Sequence, residues 1–315
     1  MGGLGRHKRV GLALGSGGAR GWAHLGVLQA LKEKGVRIDM VAGTSMGALV
    51  GAFLAAARED VLRDLATHLD WKGLRRFFWE ISLSRSGLTD GRKLLEETRN
   101  LLGVAEFRDL KLPFRAVATD LNTGGEVALN SGDLLEALRA SISIPGVFSP
   151  VWVGRRLLVD GGLVNPVPVN AARAMGADTV IAVDVSQGIE PDEKKSPRSA
   201  APPEAACGPL IPPRPASGEE RGGASRILDG FRAEIERRMG RHRSIAAGGN
   251  AKPPLVDVLV RSVRIAEAQI ARARRQVEPP DVLIEPQVAR IGTLDLQRAA
   301  EAISAGYAAA LEALR

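Results

Sequence analysis

Apolar residues in this chain fall into short runs broken by glycine, and the spacing between them shifts repeatedly from continuous to helical. Residues 10–14 form an apolar run that ends in glycines, which predicts a buried strand. Over residues 19–34 the spacing becomes helical, with Trp22, Leu25, Leu28 and Leu31 on one face and Gly35 as the stop. A second strand is expected at 38–42 and a second helix, rich in Ala and Leu, at 46–57. Residues 60–81 read as a more polar helical region carrying Leu62, Leu65, Leu69, Phe77 and Phe78. Strands at 114–119 and 126–129 flank the turn Asn122-Thr123-Gly124-Gly125, and Asp133 is placed to cap a helix running to Arg139. Residues 157–159 predict a strand ending at Asp160, 169–175 a helix leading to Gly176, and 179–185 a strongly apolar strand. Strands alternating with helices in this way predict an α/β fold with a mainly parallel sheet.

The pattern breaks after residue 186. Residues 187–223 are rich in Pro, Gly, Ser, Ala and charge, a composition that predicts a disordered or loosely held segment. Helical spacing returns at 225–245, where Ile227, Leu228, Phe231, Ile235 and Met239 share a face flanked by arginines, and 248–254 read as a linker. Helical residues at 255–277, a strand at 282–284 and a final Ala-rich helix follow. The expected organisation is a core at 1–186, an insert at 187–253, partly disordered, and a return to the core at 254–315.

Composition narrows the function classes. The chain has 315 residues and is 45% hydrophobic, enough for a sizeable core. Aromatic residues make up only 4%, which argues against a stacking platform for nucleic-acid bases. A net charge of +7 suits an anionic surface; with no zinc-finger or RNA-recognition signature, lipid is favoured over nucleic acid, and no nucleic-acid partner is expected. Cys207 is the sole cysteine, so an internal disulfide or thiol-based zinc site is excluded and a reducing compartment is expected. The first ten residues are basic and Gly-rich with no apolar stretch of secretory type, so the expected location is the cytoplasm, with peripheral contact to anionic membrane through the 225–245 segment. Residues 40–57 are uncharged and imitate a membrane span, but the glycines and polar turn within them fit a strand, a turn and a buried helix.

Two motifs carry candidate chemistry. Gly43-Thr44-Ser45-Met46-Gly47 lies between a predicted strand and a predicted helix, the context of a nucleophile elbow. There a serine sits on a strained turn that projects its hydroxyl, and glycines two before and two after let backbone pass closely. The plainer alternative is a tight turn in which Ser45 only caps the helix. Gly15-Ser16-Gly17-Gly18-Ala19-Arg20-Gly21 also follows a strand and opens a helix, so its amides can converge on an anion, either a dinucleotide phosphate or a tetrahedral oxyanion. The dinucleotide fingerprint begins at Gly15, but Arg20 stands where its last glycine belongs.

In order, Ser16-Gly17-Gly18-Ala19-Arg20-Gly21, Gly43-Thr44-Ser45-Met46-Gly47 and Asp160-Gly161-Gly162 resemble the motifs of bacterial patatin-like phospholipases. Two supporting stretches are similar as well, at 118–124 and 140–148. The resemblance implies a three-layer α/β/α fold and a Ser–Asp dyad without a catalytic histidine. Ser45 then matches the nucleophile and Asp160 the base, with Gly43 and Gly47 framing the elbow. Gly17 and Gly18 match the oxyanion hole, supported by Ser16, Arg20 and Gly21. Ser16 departs from the plant pattern, which has glycine there, and the insert maps to nothing in the family core. The implied activity is hydrolysis of fatty-acyl esters of lipids or phospholipids, with no metal or organic cofactor. The alternative of another class is a lipid-binding or regulatory protein with weak esterase activity. Histidine placement agrees with a histidine-free dyad: the only one after Asp160 is His242 in the insert, while His24 and His68 precede it, with no evident acid partner for His24.

Overall fold

The computed structural model describes residues 8–68, 98–186 and 255–315. The described elements, numbered in chain order, are β1 (Val10–Leu14), α1 (Ala23–Glu33), β2 (Met40–Thr44), α2 (Met46–Ala55), α3 (Glu59–His68), β3 (Phe114–Asp120), β4 (Glu126–Leu129), α4 (Leu134–Ser141), β5 (Val151–Val153), β6 (Arg156–Asp160), α5 (Val169–Arg173), β7 (Thr179–Val183), α6 (Leu255–Val277), β8 (Val282–Ile284) and α7 (Ala299–Ala313).

One eight-stranded sheet runs in the order β5-β6-β3-β2-β1-β7-β8, with β4 also paired to β3. The five strands from β3 to β8 are mutually parallel, while β4, β5 and β6 pair antiparallel. The continuous apolar runs of the parallel strands follow from burial on both faces. In β1, Leu12 and Leu14 enter one core with α1, α2, α3 and α7, while Ala13 enters a second core with Val169, Ala171 and Ala172 of α5. Helices on both faces of the sheet make the three-layer α/β/α arrangement.

Residues 255–315 belong to the same sheet and layers. β8 extends the edge beyond β7, with Val183 opposite Ile284. α7 lies on α1, and the two helices touch backbone to backbone at a pair of glycines. A methyl on Gly26 would sit 2.7 Å from the Tyr307 amide nitrogen, and one on Gly306 2.7 Å from the Ala23 carbonyl carbon.

Several boundaries differ from the expected ones for local reasons. The helix expected from residue 19 begins as a 3-10 turn, Gly18–Trp22, because Gly18 takes a left-handed φ of 56°. The second strand is shifted to Met40–Thr44, and β5 has no apolar run long enough to announce it. Asp133 caps α4 as expected, accepting from the amides of Leu135 and Glu136. The span-like stretch divides into β2 and α2, and no helix among the described residues is long and apolar enough to cross a membrane. The expected insert at 187–253, with its helical segment at 225–245, lies outside the described residues, as does the 69–81 part of the polar helical region.

Candidate active site

Strand β3 serves as the template that brings the two candidate catalytic residues together. Ala118 and Thr119 pair with β4, and the same two residues pair with β6. Ala116 and Val117 pair with β4 and with β2. Because one edge of a strand accepts a single neighbour at each residue, β2 and β6 must lie end to end on the edge opposite β4. β2 runs parallel to β3 and reaches Val117 with Thr44, while β6 runs antiparallel and reaches Ala118 with Asp160. Two strand carboxyl ends therefore meet head-on, with Ser45 just past one and Asp160 ending the other.

The Ser45 hydroxyl donates to Asp160 Oδ2 at 2.6 Å, and both residues are buried. Ser45 has φ 56° and ψ −122°, strained for a non-glycine residue, and stands immediately before the first residue of α2. That position exposes its oxygen to the partial positive charge of a helix N-terminus. The strain is held in place by close packing on both sides. A methyl on Gly43 would lie 2.6 Å from the Ala48 nitrogen, and one on Gly47 2.7 Å from the Gly15 carbonyl oxygen. The Ser45 amide donates to Ser141 Oγ at 2.9 Å, and that hydroxyl donates to the Val117 carbonyl at 2.6 Å. Neighbouring hydroxyls complete the frame: Thr44 donates to the Asn165 carbonyl and Thr119 to the Asp160 carbonyl, each at 2.8 Å.

Asp160 has its second oxygen occupied by the Gly162 amide at 2.8 Å. Burial, followed by the charge of Glu267, pushes its carboxyl up to about 8, against the Ser45 hydroxyl and Gly162 amide, which hold it down. A carboxyl raised this far is a stronger proton acceptor than an ordinary aspartate.

The glycine loop lies above the end of β1. The Gly15 amide is taken by the Val183 carbonyl at 3.0 Å, the Ser16 amide by Pro166 at 2.8 Å and the Ala19 amide by Thr293 at 2.8 Å. Among the described residues no acceptor meets the amides of Gly17 and Gly18, the two that the motif singles out. Gly17 and Gly18 are held close to neighbouring backbone and side chains. A methyl on Gly17 would sit 2.6 Å from Val185 Cγ2, and one on Gly18 2.6 Å from Thr293 Cγ2. Arg20 is buried and its Nε donates to the Gly17 carbonyl at 3.3 Å. Burial pulls the Arg20 guanidinium down to about 10, with nearby Arg264 adding to that and Glu267 and Asp184 opposing it. Gly21 gives room to Met46, whose Cβ would stand 2.7 Å from a methyl there.

His24 is fully buried below this loop, with Nε2 bonded to the Gly15 carbonyl at 2.8 Å. Burial drives it down to about 4, so it is neutral and Nε2 carries the donated proton. It supports the loop and has no bond to Ser45 or Asp160.

Two residues were not foreseen as parts of the site. Ser141 carries the bond to the Ser45 amide; it lies in the 140–148 stretch that supports the family resemblance, but no role was expected of it. Glu267 of α6 is buried and accepts the Ser16 hydroxyl at 2.9 Å. Its signal is positional: it shares a helix face with buried Val260 and Ala271, where a carboxylate is out of place.

A family profile described as "Patatin-like phospholipase" matches residues 12–173. An uncharacterized NTE family protein of Mycobacterium tuberculosis is 36% identical over an alignment of 333 residues that covers 97% of this chain and 91% of that protein. A patatin-like phospholipase domain-containing protein of Caenorhabditis elegans is 36% identical over 181 residues, 56% of this chain and 13% of the longer protein. Among solved structures, VipD from Legionella pneumophila aligns with a TM-score of 0.45 at 15% identity, covering 98% of this chain and 66% of its own.

Proposed function

The chain belongs to the patatin-like phospholipase family, and on that premise we propose that it is a lipid acyl-ester hydrolase working through a Ser45–Asp160 dyad. The observation that carries this reading is the 2.6 Å hydrogen bond from a strained, buried Ser45 to a carboxyl pushed up to about 8. Weak nucleophilicity is the obstacle for any serine, and an adjacent base with raised affinity for protons is the remedy.

In the proposed reaction Asp160 Oδ2 takes the Ser45 proton as Ser45 Oγ attacks the acyl carbonyl carbon. The carbonyl oxygen gains negative charge and is met by the Gly17 and Gly18 amides. Collapse of the tetrahedral adduct breaks the ester bond; the proton on Asp160 passes to the departing alkoxide, which leaves as alcohol or lysolipid. A water then gives its proton to Asp160 and attacks the acyl-serine. Collapse returns that proton to Ser45 and releases the fatty acid. His24 takes no part, because it is neutral and committed to the Gly15 carbonyl. The raised carboxyl also implies that turnover climbs with pH through about 8, as Asp160 ionises.

The test is hydrolysis of a short-chain acyl ester and of phospholipid vesicles by the wild type and by Ser45→Ala, with products identified by lipid mass spectrometry. Ser45-dependent release of fatty acid supports the reading and identifies the substrate class. Lipid binding without Ser45-dependent turnover would leave the binding or regulatory alternative.

A further inference from the structure

Glu267 is buried beside the proposed dyad but has no part in the reaction above. It lies well outside the 12–173 stretch that the family profile matches, on a helix reached only after residues 187–254. Its carboxylate faces two loops at once. Oε1 accepts the hydroxyl of Ser16, the residue that opens the glycine loop, at 2.9 Å. The same oxygen rests against Gly162: a methyl there would overlap Glu267 Oε1 and stand 2.9 Å from the Ser16 hydroxyl. Gly162 is in turn the residue whose amide holds Asp160 Oδ1 at 2.8 Å. One carboxylate thus touches both the loop that presents the proposed oxyanion amides and the turn that presents the proposed base.

We propose that Glu267 is a positioning residue of this site, tying the glycine loop through Ser16 to the Asp160 turn at Gly162 and fixing how base and oxyanion amides face each other. The proposal rests on the dyad reading given above and adds to it a residue from the C-terminal helix.

The charges around the pair fit this assignment. Arg20, from the turn after the glycine loop, and half-buried Arg264, one turn earlier on the same helix, both favour Glu267 as the anion. Asp184 acts on Arg20 and Asp295 on Arg264. Burial opposes ionisation of Glu267 and pushes its carboxyl up. Asp160, the other carboxyl of the pair, is raised by burial and then by Glu267. A buried carboxylate next to the base makes that base harder to ionise and stronger once ionised.

The experiment compares the full chain as wild type, Glu267→Gln and Ser16→Ala. Glutamine keeps the volume and an oxygen for Ser16 but removes the charge. For Glu267→Gln the rising limb of kcat against pH should move down by about one unit, and the rate at the plateau should fall by about tenfold. KM should stay within about twofold, since the substitution removes a charge and leaves the side-chain volume unchanged. Carboxyl ¹³C NMR should show Asp160 titrating at lower pH in the variant. An unchanged limb and an unchanged Asp160 midpoint would overturn the proposal. Should the wild type show no Ser45-dependent turnover, the dyad reading fails, and the Asp160 midpoint alone then decides for or against Glu267. Should Glu267→Gln not fold, Ser16→Ala decides: a fall in kcat of about tenfold or more with KM unchanged supports the tie, and an unaltered kcat refutes it.

Discussion

Replacing Asp160 by Asn separates what this carboxyl does for chemistry from what it costs the fold. The amide has the same shape. Its oxygen can still accept the Gly162 amide, but its NH2 now faces Ser45 and turns that hydroxyl into an acceptor. Proton uptake is lost, so turnover should fall by about a hundred- to ten-thousand-fold. Stability should move the other way. The carboxyl stands at 3.8 in the unfolded chain and is pushed up to about 8 in the fold. Each unit of difference corresponds to about 1.4 kcal/mol. The stability tied to its protonated form is complete below the unfolded value and is lost as pH rises through the folded one. The wild type therefore carries a penalty on the order of 2 kcal/mol at pH 5 and on the order of 5 kcal/mol at pH 8.5, both upper bounds. Asparagine carries none. In a domain of this size 1 kcal/mol is worth about 2–4 °C in Tm. Calorimetry of both proteins from pH 5 to 8.5 should show Asp160→Asn melting higher by a margin that widens by about 5 °C or more. A constant margin would refute the raised carboxyl, and turnover within about tenfold of wild type would refute its role as base.

Other outcomes bear on the same site. The double variant Ser45→Ala/Asp160→Asn should be little slower than either single one, because the two residues act as a unit; steady-state rates on a short-chain ester test this. A fluorophosphonate probe should label Ser45 and not Ser16, read by peptide mass spectrometry. His24→Gln should lower stability by about 1–2 kcal/mol through loss of the buried bond to Gly15, while turnover falls far less than in Asp160→Asn; a comparable loss in a folded variant would require a histidine mechanism. Co-sedimentation with anionic vesicles should weaken as salt rises, given the net charge of +7, and salt-independent binding would remove the electrostatic account.

Much of the candidate site was legible because close backbone approach imposes local rules on the chain. Gly43 and Gly47 are required by backbone contacts within a few residues or across one strand, so they form a compact sequence signature around Ser45. The Asp160-Gly161-Gly162 turn is legible for the same reason: a methyl on Gly161 would reach 2.7 Å from the Val117 carbonyl carbon. The parallel strands announced themselves as unbroken apolar runs. Strand β5 did not, as it has only three residues and its Trp152 is 60% exposed. The start of α1 was misplaced because a left-handed Gly18 tightens the first turn, and side-chain spacing is blind to that. Glu267 stayed hidden for a different reason. Its partners Ser16 and Gly162 are 251 and 105 positions away, and its own neighbours read only as an amphipathic helix.

The late arrival of β8, α6 and α7 has a consequence for the timing of assembly. Ser45 and Asp160 leave the ribosome early, whereas the outer edge of β7, the Glu267 contact and the cover over α1 must wait for the residues beyond 254. Reaching residue 315 from residue 186 takes roughly 6–26 s at about 5–20 residues per second. Through that interval a nascent chain holds the proposed nucleophile and base but not the helix that carries Glu267. On the proposed reading, a hydrolase assembled in this order stays idle until the residues beyond 254 bring Glu267 against Ser16 and Gly162.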